Sequence, residues 1–253
     1  MISCEALPVP HLPTREVVHI AAGKLSREVL AELKHCRVEV LFTQRLHKVE
    51  HALQRHADLA ICPLMNKRIL LDPSSVALKE SLISFGYYVI MTEKEVSSPY
   101  PSDCLLNFIQ TNSYLINSKH SFDILDGRDH SQKTITVNQG YIKCSVAPVA
   151  ENAIITDDAG IHKVASQQGI DTCLLSKGDV FLNGYPYGFI GGSCGMISHD
   201  VLAFCGDIKK HRDYDKLHSF LMNYGIHEYI LSNQKLTDVG SMIPLTQRKD
   251  VVV

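Results

Sequence analysis

The stretch AIITDDAGIHKVASQQGIDTCLL, from Ala153 to Leu175, decides the fold class. It opens with an apolar run typical of a buried strand, and Asp157 and Asp158 then offer carboxylates that can cap a helix. Apolar residues recur at helical spacing from Ile161 to Ala165, and Gly169 suits the left-handed position after a helix end. A second apolar run follows that glycine. The stretch therefore predicts a strand, a helix and a second strand.

The same pattern recurs on both sides of this stretch, so we predict an α/β protein of five strand–helix–strand units. The other copies are predicted at residues 17–42, 68–91, 114–137 and 201–231. The copy at 114–137 is degenerate, with only a weak helix near Phe122 to Leu125. A period of about 50 residues suggests a repeat architecture. Five units are too few for an eight-unit barrel, and no glycine-rich phosphate loop is present.

A third strand is predicted to close each unit, at residues 58–64, 104–110, 141–149, 188–197 and 237–245. We expect the last of these to pair beside Val17 to Ile20, which closes a ring and leaves fewer open sheet edges. No long linker divides the chain. We therefore predict one domain over residues 1–253, with an N-terminal extension at 1–15 and a C-terminal tail at 246–253.

Composition excludes several classes of protein. The 25 Lys and Arg residues against 27 Asp and Glu residues give a net charge of -2, which argues against a nucleic-acid binder. No apolar run approaches the ~18 residues of a membrane span, and Met1 to Pro13 lacks a signal-peptide pattern. The eight cysteines form no CxxC pair, so we expect free thiols in a reducing cytoplasm. The oligomeric state stays open.

Four segments carry a resemblance to known proteins. They read VNQGYIKCS, AIITD, YGFIGGSCG and DVGS, at residues 137–145, 153–157, 187–195 and 238–241. They resemble an uncharacterised bacterial family with the fold of the guanidino-group-modifying enzymes, also called penteins. The resemblance spans most of the chain and is strongest over residues 137–245. It implies a five-bladed α/β propeller of ββαβ units with pseudo-fivefold symmetry around a central pocket.

The resemblance also implies a chemistry. Characterised penteins include arginine deiminases, dimethylargininases, agmatine deiminases and amidinotransferases. In those enzymes a last-unit cysteine attacks a guanidinium carbon, a histidine moves protons and carboxylates hold the substrate cation. This chain departs from that pattern, because its last unit reads TDVGSMIPL and has Gly240 or Ser241 near the place of the nucleophile. The middle units show no clear His-x-Asp/Glu segment.

The propeller arrangement implies that the starts of the third strands face one pocket. The candidate ligand-binding residues are Asp58, Asn107, Asn138, Gln139, Ser193, Cys194, Asp238 and Ser241. The carboxylates of Asp58 and Asp238 are the candidates for holding a cation, while Asn107 and Ser193 are candidates for orienting the ligand. A structural role remains open for each, since polar side chains also satisfy the backbone groups of turns.

Cys144 is the candidate catalytic residue, with Cys194 as its competitor. Lys143 precedes Cys144, but neighbours on a strand point to opposite faces, so the lysine is not expected to activate the thiol. A pocket nucleophile should be partly exposed and richer in thiolate than a free thiol. The alternative is that Cys144 is a small buried apolar residue.

Three further motifs have competing interpretations. Residues 191–195, GGSCG, match the GxSxG nucleophile elbow, but the strand-like sequence after it argues against the helix that an elbow needs. Residues 47–51, HKVEH, match an inverted zinc-protease motif, but both histidines are expected on a solvated face. The turn at 184–188, GYPYG, is either a lid over the pocket or a hairpin loop packed on a neighbouring blade.

Two functions therefore stay open at this point. The first is an enzyme, or former enzyme, of hydrolase or amidinotransferase type that handles a small ligand bearing an amino or guanidine group. The second is a non-catalytic propeller that binds a ligand or another protein. A zinc hydrolase is a distant third. We expect no cofactor, no metal, no membrane partner and no nucleic-acid partner.

Overall fold

The computed structural model describes residues 3–122 and 132–249. Its strands form five small sheets that share one plan. In each sheet an inner strand runs antiparallel to a middle strand, and the middle strand runs parallel to an outer strand. We call these sheets blades 1 to 5, in the chain order of their inner strands. The plan confirms the predicted α/β propeller.

The inner, middle and outer strands of blades 1 to 3 are as follows. Blade 1 contains β4 (Ile61–Leu64), β5 (Arg68–Leu71) and β6 (Tyr88–Met91), with helix α2 (Lys79–Ser84) before β6. Blade 2 contains β7 (Ile109–Gln110), β8 (Tyr114–Ser118) and β9 (Lys133–Val137). Blade 3 contains β10 (Val146–Ala150), β11 (Ala153–Thr156) and β12 (Asp171–Leu174), with α3 (Ile142–Ser145) before β10 and α4 (Ala159–Gln167) before β12.

Blades 4 and 5 repeat the plan. Blade 4 contains β13 (Cys194–Ser198), β14 (Val201–Phe204) and β15 (His227–Ile230), with α5 (Tyr214–Asn223) before β15. Blade 5 contains β16 (Ile243–Arg248), β2 (Val17–Ala22) and β3 (Glu39–Phe42), with α1 (Arg27–His35) before β3 and β1 (Cys4–Ala6) on the free edge of β16. The weak helix predicted near Phe122 to Leu125 lies, beyond its first residue, outside the described residues.

The ring closes between the two ends of the chain. Strand β16 pairs antiparallel with β2, so that Ile243 lies opposite Ala21 and Pro244 lies opposite Ile20. This confirms the predicted pairing of the last strand with the first. The predicted extension and tail also contribute to blade 5, because β1 pairs with the end of β16 from Ala6 opposite Thr246 outward.

The quoted stretch folds as its pattern predicts. The side chain of Asp158 caps α4 by accepting from the backbone N–H of Ile161 at 2.9 Å. Ile161 and Ala165 are buried on the inner face of the helix, and Gly169 has a φ of +85° just after the helix ends. That left-handed conformation favours glycine, so the residue marks the helix end.

The core runs between neighbouring blades rather than within each one. Leu64 of blade 1, Leu115 of blade 2 and Ile154 of blade 3 belong to one buried cluster. Within the described part of the chain, no helix is long and apolar enough to cross a membrane. All eight cysteines are free, as predicted.

The segments predicted as closing strands differ from the prediction in two ways. Each pairs with the first strand of the next unit, so it is that blade's inner strand. Each strand also begins later than predicted. Residues 57–59 and 191–193 form 3-10 turns, and residues 142–145 form α3. These non-strand segments before the inner strands carry the residues of the candidate site.

Candidate active site

Four of the predicted site residues meet at the centre of the ring, each from the segment before a different inner strand. The Cys144 Sγ donates to Asp58 Oδ2 at 3.1 Å and accepts from Asn107 Nδ2 at 3.2 Å. Asn107 Oδ1 accepts from the backbone N–H of Cys144 at 3.1 Å, which fixes the amide orientation. The Ser241 hydroxyl donates to the same Asp58 oxygen at 2.6 Å. The thiol is therefore held by three blades at once.

One oxygen of this cluster lacks a partner. Asp58 is 1% exposed, and its Oδ1 has no hydrogen bond among the described residues. Burying a charged group without a partner costs free energy, and native proteins rarely leave one so. Asp58 therefore holds a buried carboxylate oxygen beside the thiol with no hydrogen-bond donor of its own among the described residues.

His56 belongs to the site although the sequence interpretation did not name it. A ring nitrogen of His56, a carboxylate oxygen of Asp58 and the Cys144 Sγ all lie within 4.8 Å of one another, and all three residues are buried. The signal was present, because His56-Ala57-Asp58 is a His-x-Asp segment. It stands in blade 1, whereas such a segment was looked for in the middle units. The 3-10 turn at residues 57–59 turns both side chains to the centre.

Asp238 supplies a second buried carboxylate. Its Oδ2 accepts from the backbone N–H of Phe189 and its Oδ1 from that of Gly240, both at 2.9 Å. Its Oδ1 lies 3.9 Å from His56 Nδ1, which has no hydrogen-bond partner among the described residues. Burial raises the pKa of Asp238, and the neighbouring Asp58 raises it further. A Cβ at Gly192 would lie 2.0 Å from Asp238 Oδ1, so glycine is needed for the Asp238 carboxylate to lie this close to the backbone.

The Cys144 thiol differs from the sequence expectation in two ways. It is 3% exposed, so it is buried rather than partly exposed. Burial, then the charges of Asp58 and Asp238, raise the pKa of Cys144 well above its usual range. Each of these effects disfavours the negative thiolate. Without a ligand the group is therefore a thiol that donates to Asp58.

Lys143 lies beside the cluster of Cys144, Asp58 and Ser241, which the expected strand would not allow. Lys143 and Cys144 are on the short helix α3 instead of a strand, so the alternation of faces does not apply. The buried Lys143 Nζ donates to Ser241 Oγ at 3.1 Å and to the Gly191 carbonyl at 3.3 Å. Since Ser241 donates to Asp58, the lysine supplies a positive charge one hydrogen bond behind that carboxylate.

A pocket of about 210 Å³ opens onto Cys144, His56 and Asp238. Its walls are mostly aromatic and apolar: Leu53, Tyr141, Leu182, Tyr185, Pro186, Tyr187 and Phe189. The turn at 184–188 therefore forms part of the pocket wall, which favours a lid or rim over a hairpin loop that only packs on a neighbouring blade. Tyr141 is fixed by its hydroxyl, which donates to Asp103 Oδ2 at 2.6 Å.

Comparisons with known proteins give the family and the fold of the chain. Residues 20–243 match the family model DUF6873, described as a family of unknown function. The chain belongs to this family. None of the curated proteins matches the sequence.

Several solved structures share the fold. An amidinotransferase of the saxitoxin biosynthetic pathway from Microseira wollei is 11% identical, with a TM-score of 0.57 over 97% of this chain and 99% of that chain. The inosamine-phosphate amidinotransferase of Streptomyces griseus is 10% identical, with a TM-score of 0.57 over 98% and 99%. DDAH from Pseudomonas aeruginosa, complexed with citrulline, is 9% identical, with a TM-score of 0.52 over 92% and 100%. This member of DUF6873 therefore has the pentein fold that its sequence resembles.

Of the predicted ligand-binding residues of this DUF6873 protein, Asp238 alone is among the described residues that line the pocket. Asp58, Asn107 and Ser241 belong to the hydrogen-bonded cluster around Cys144, and the other four lie elsewhere. The Ser193 hydroxyl and the Cys194 thiol both bond to the Ile190 carbonyl, at 2.8 and 3.3 Å, and both residues are buried. Asn138 and Gln139 line a separate surface hollow. Gln139 Oε1 accepts from the backbone N–H of Tyr141 at 3.0 Å, so Gln139 supports a pocket wall from behind.

Two sequence motifs have no active-site geometry. The glycine-rich turn at 191–193 leads into strand β13, so the helix of a nucleophile elbow is missing there. His47 and His51 are exposed in a turn and a short 3-10 segment, as expected for a solvated face. The donor set that suits a metal is instead His56, Asp58 and Cys144, which offers the nitrogen, oxygen and sulfur ligands that zinc takes. The expectation that no metal binds stays a prediction.

Proposed function

We propose that this protein is a pentein-type enzyme that acts on a small ligand bearing a guanidinium, amidinium or amino group, with Cys144 as the nucleophile. The observation that carries the proposal is the cluster of a thiol, an imidazole and two carboxylates at the end of one pocket. A nucleophile with a proton carrier and an orienting group is the general arrangement of covalent catalysis.

The pocket is suited to a planar cation. Asp238 lines the pocket and is available to N–H donors of a ligand, while Asp58, which contacts Cys144 without lining the pocket, adds a second negative charge close by. The rings of Tyr141 and Phe189 stand 6.4 Å apart along the wall, and aromatic faces attract cations. A guanidinium group combines a flat shape with several donors, which matches carboxylate oxygens and aromatic walls together.

Binding of a cation also supplies a way to activate Cys144. The negative charges of Asp58 and Asp238 help to keep its thiol protonated. A bound cation offsets those charges and favours the thiolate. The thiol proton then passes to His56, whose ring nitrogen lies within 4.8 Å of the sulfur. The resting thiol becomes a nucleophile only when a ligand is in place.

The covalent steps follow from this arrangement. When the ligand bears a guanidinium or amidinium group, the Cys144 sulfur forms a bond to the central carbon of that group, and the bond from that carbon to one nitrogen breaks. The leaving amine takes the proton from His56. Either water or the amine of a second substrate then attacks the same carbon and releases the sulfur, which gives hydrolysis or group transfer. The thiol chemistry favours a reducing compartment, and we place the protein in the cytoplasm.

A non-catalytic binding protein is the second candidate. It is favoured by Ser241, which stands in the last blade where the resemblance implies a catalytic cysteine. It is also favoured by the buried Cys144 thiol, whose hydrogen bonds to Asp58 and Asn107 serve equally well in a structural role. In this case the pocket binds the cation and releases it unchanged.

Chloroacetamidine, a planar cation with an alkylating carbon, separates the two candidates. Its uncharged counterpart, chloroacetamide, is the reference reagent. In the reaction the Cys144 sulfur bonds to the methylene carbon and chloride leaves. We expect chloroacetamidine to label Cys144 faster than chloroacetamide, after each rate is divided by its rate with free cysteine. Peptide mapping by mass spectrometry identifies the labelled residue.

Three variants make the result specific. Cys144→Ser should abolish labelling, Asp238→Asn should reduce the preference for the cation, and Cys194→Ser should behave like the wild type, because Cys194 is buried away from the pocket. A Cys144 that reacts with the cation no faster than with the neutral reagent would contradict the proposed cation site. Labelled protein with no turnover of any amine, amidine or guanidine would favour the binding protein.

A further inference from the structure

A second and larger cavity adjoins the pocket. Its volume is about 900 Å³, and it is lined by the loop at residues 23–26 after β2, the start of α1, most of residues 51–56 and most of residues 232–239. His56, Leu182 and Asp238 line both the cavity and the pocket, so these three side chains form their common wall. Pockets of 300–1,000 Å³ commonly bind metabolites, so the cavity has room for the body of a ligand.

The cavity is rich in positive charge. Four permanently cationic side chains line it: Lys24, Arg45, Arg55 and Lys235. Among the described lining residues, Asp238 at the common wall is the single carboxylate. The chain as a whole carries a net charge of -2, so this concentration of positive charge is local rather than general.

These cations are not neutralised by neighbouring acids. Lys24, Arg55 and Lys235 are exposed and make no ion pair with any described carboxylate. Lys235 Nζ instead lies 5.7 Å above the ring of Phe181, and Arg45 Nε donates to the neutral Gln54 Oε1 at 2.6 Å. The donors of the two arginines suit the oxygens of a phosphate or a carboxylate.

The backbone holds part of this set in place. A Cβ at Gly23 would lie 1.5 Å from the carbonyl oxygen of Arg55, so the loops that carry Lys24 and Arg55 touch directly. Ser26, which caps the nine-residue helix α1, also lines the cavity, and a helix N-terminus favours a negative charge. The side chain of His56 is 4% exposed, and its unpaired Nδ1 is an independent polar atom at the common wall.

We propose that this cavity binds a multiply charged anionic group, a phosphate or a polycarboxylate, on the same substrate whose cationic group enters the pocket. The proposal rests on the proposed function, because the second half of the substrate is the cation held near Cys144. The substrate class is then a guanidino, amidino or amino compound that carries a phosphate or several carboxylates. The carboxylates beside Cys144 attract the cationic end of the substrate and the cations of the cavity attract its anionic end, which fixes the orientation of the substrate.

Inorganic pyrophosphate and citrate are the probes for the cavity, and isothermal titration calorimetry measures their binding to the full chain. We expect the wild type to bind at least one of them, with an affinity that falls as salt is added. Tighter binding of pyrophosphate indicates a phosphate substrate, and tighter binding of citrate indicates a polycarboxylate. Arg55→Ala with Lys235→Ala should weaken binding at least about tenfold.

The matched control is the double variant Lys34→Ala on α1 and Lys163→Ala on α4. It removes two exposed cations outside the cavity and changes the net charge by the same amount as the Arg55→Ala, Lys235→Ala variant. It should bind the anion as the wild type does. Equal loss in both double variants, or no binding of either anion to the wild type, overturns the proposal. Because these lysines and Arg55 are exposed, both double variants are expected to fold, which circular dichroism checks.

A second measurement tests the link between the two halves of the substrate. Agmatine and 3-guanidinopropyl phosphate are compared as protectants of Cys144 against chloroacetamidine. The phosphate compound should protect at a concentration about tenfold lower than agmatine in the wild type, and this advantage should vanish in the Arg55→Ala, Lys235→Ala variant. Equal protection by both compounds overturns the link. If the anion binds but Cys144 does not react preferentially with chloroacetamidine, the cavity is still an anion site and the proposed function is wrong.

Discussion

Replacing Asp58 by asparagine should turn the Cys144 thiol into a much more reactive group. The change keeps the size of the side chain and an oxygen that can accept from Ser241, but it removes a negative charge 3.1 Å from the sulfur. That charge is one of the causes that raise the pKa of Cys144. Its loss should therefore lower the pKa and increase the thiolate fraction near neutral pH.

The distance sets the size of the effect. Two unit charges 3.1 Å apart at an effective dielectric constant of about 20 interact by about 5 kcal/mol, so removing the charge of Asp58 strongly favours the thiolate. A thiolate of lower pKa is also a weaker nucleophile, which cancels part of that gain. Asp58→Asn should therefore react on the order of 100-fold faster than the wild type.

Iodoacetamide is a suitable reagent because it is small and uncharged, and the modification of Cys144 is followed by mass spectrometry across a range of pH. Asp157→Asn is the matched control. Asp157 is also a buried carboxylate, but its charge is not among the causes of the Cys144 shift. The rate for the wild type should keep rising with pH, whereas that for Asp58→Asn should level off earlier. A folded Asp58→Asn that reacts no faster than the control would refute the electrostatic account of the site.

Two further predictions concern stability. Gly240→Ala should destabilise the fold by about 3 kcal/mol or more, because Gly240 has a φ of +74° and an added Cβ would lie 2.2 Å from His56 Cα. Gly225→Ala, at a φ of +66° with nothing within 4 Å, should cost only about 1 kcal/mol, and equal losses in denaturant unfolding would contradict the packing argument. Burial raises the pKa of Asp157 to about 7 from 3.8, so its contribution to stability is complete below about pH 4 and is lost as the pH rises to about 7. Asp157→Asn should therefore gain stability relative to the wild type over that range, on the order of 4 kcal/mol, and a difference that does not change with pH would rule this out.

The fold was predictable because its signals are local and repeated. A capping residue such as Asp158, an apolar helix face and a glycine such as Gly169 recur in three of the five predicted units, and the cap and the glycine mark element boundaries. The closure of the ring at Ile243 and Ala21 followed from the count of units and from the need to cover sheet edges. The partner of each third strand was not predictable in the same way, because apolar periodicity does not say which neighbour a strand pairs with.

The site was only partly predictable from the sequence. Its residues lie in the segments before the inner strands rather than in the strands and helices that repeat. Asp58, Asn107 and Cys144 were named because each lies on a segment predicted as a third strand, and the structure places each of them just before an inner strand. The environment of Cys144 was not predicted. Residues 142–145 form a helix where the sequence indicates a strand, and this helix places the Lys143 Nζ within hydrogen-bond distance of Ser241 Oγ. Segments of three blades together bury the thiol, and no local sequence pattern predicts which segments of different blades meet.

The position of the cysteine follows from the symmetry of the ring. Blade 5 supplies Ser241 and blade 3 supplies Cys144, and both side chains donate to the same oxygen of Asp58, at 2.6 and 3.1 Å. Because equivalent segments of the blades meet at one centre, a nucleophile on either of them can face the same ligand. The resemblance to penteins implies a cysteine in the last unit near Gly240 or Ser241, and here the Ser241 hydroxyl accepts from Lys143. A serine there does not remove a thiol from the pocket, so the missing last-unit cysteine is weak ground for excluding catalysis.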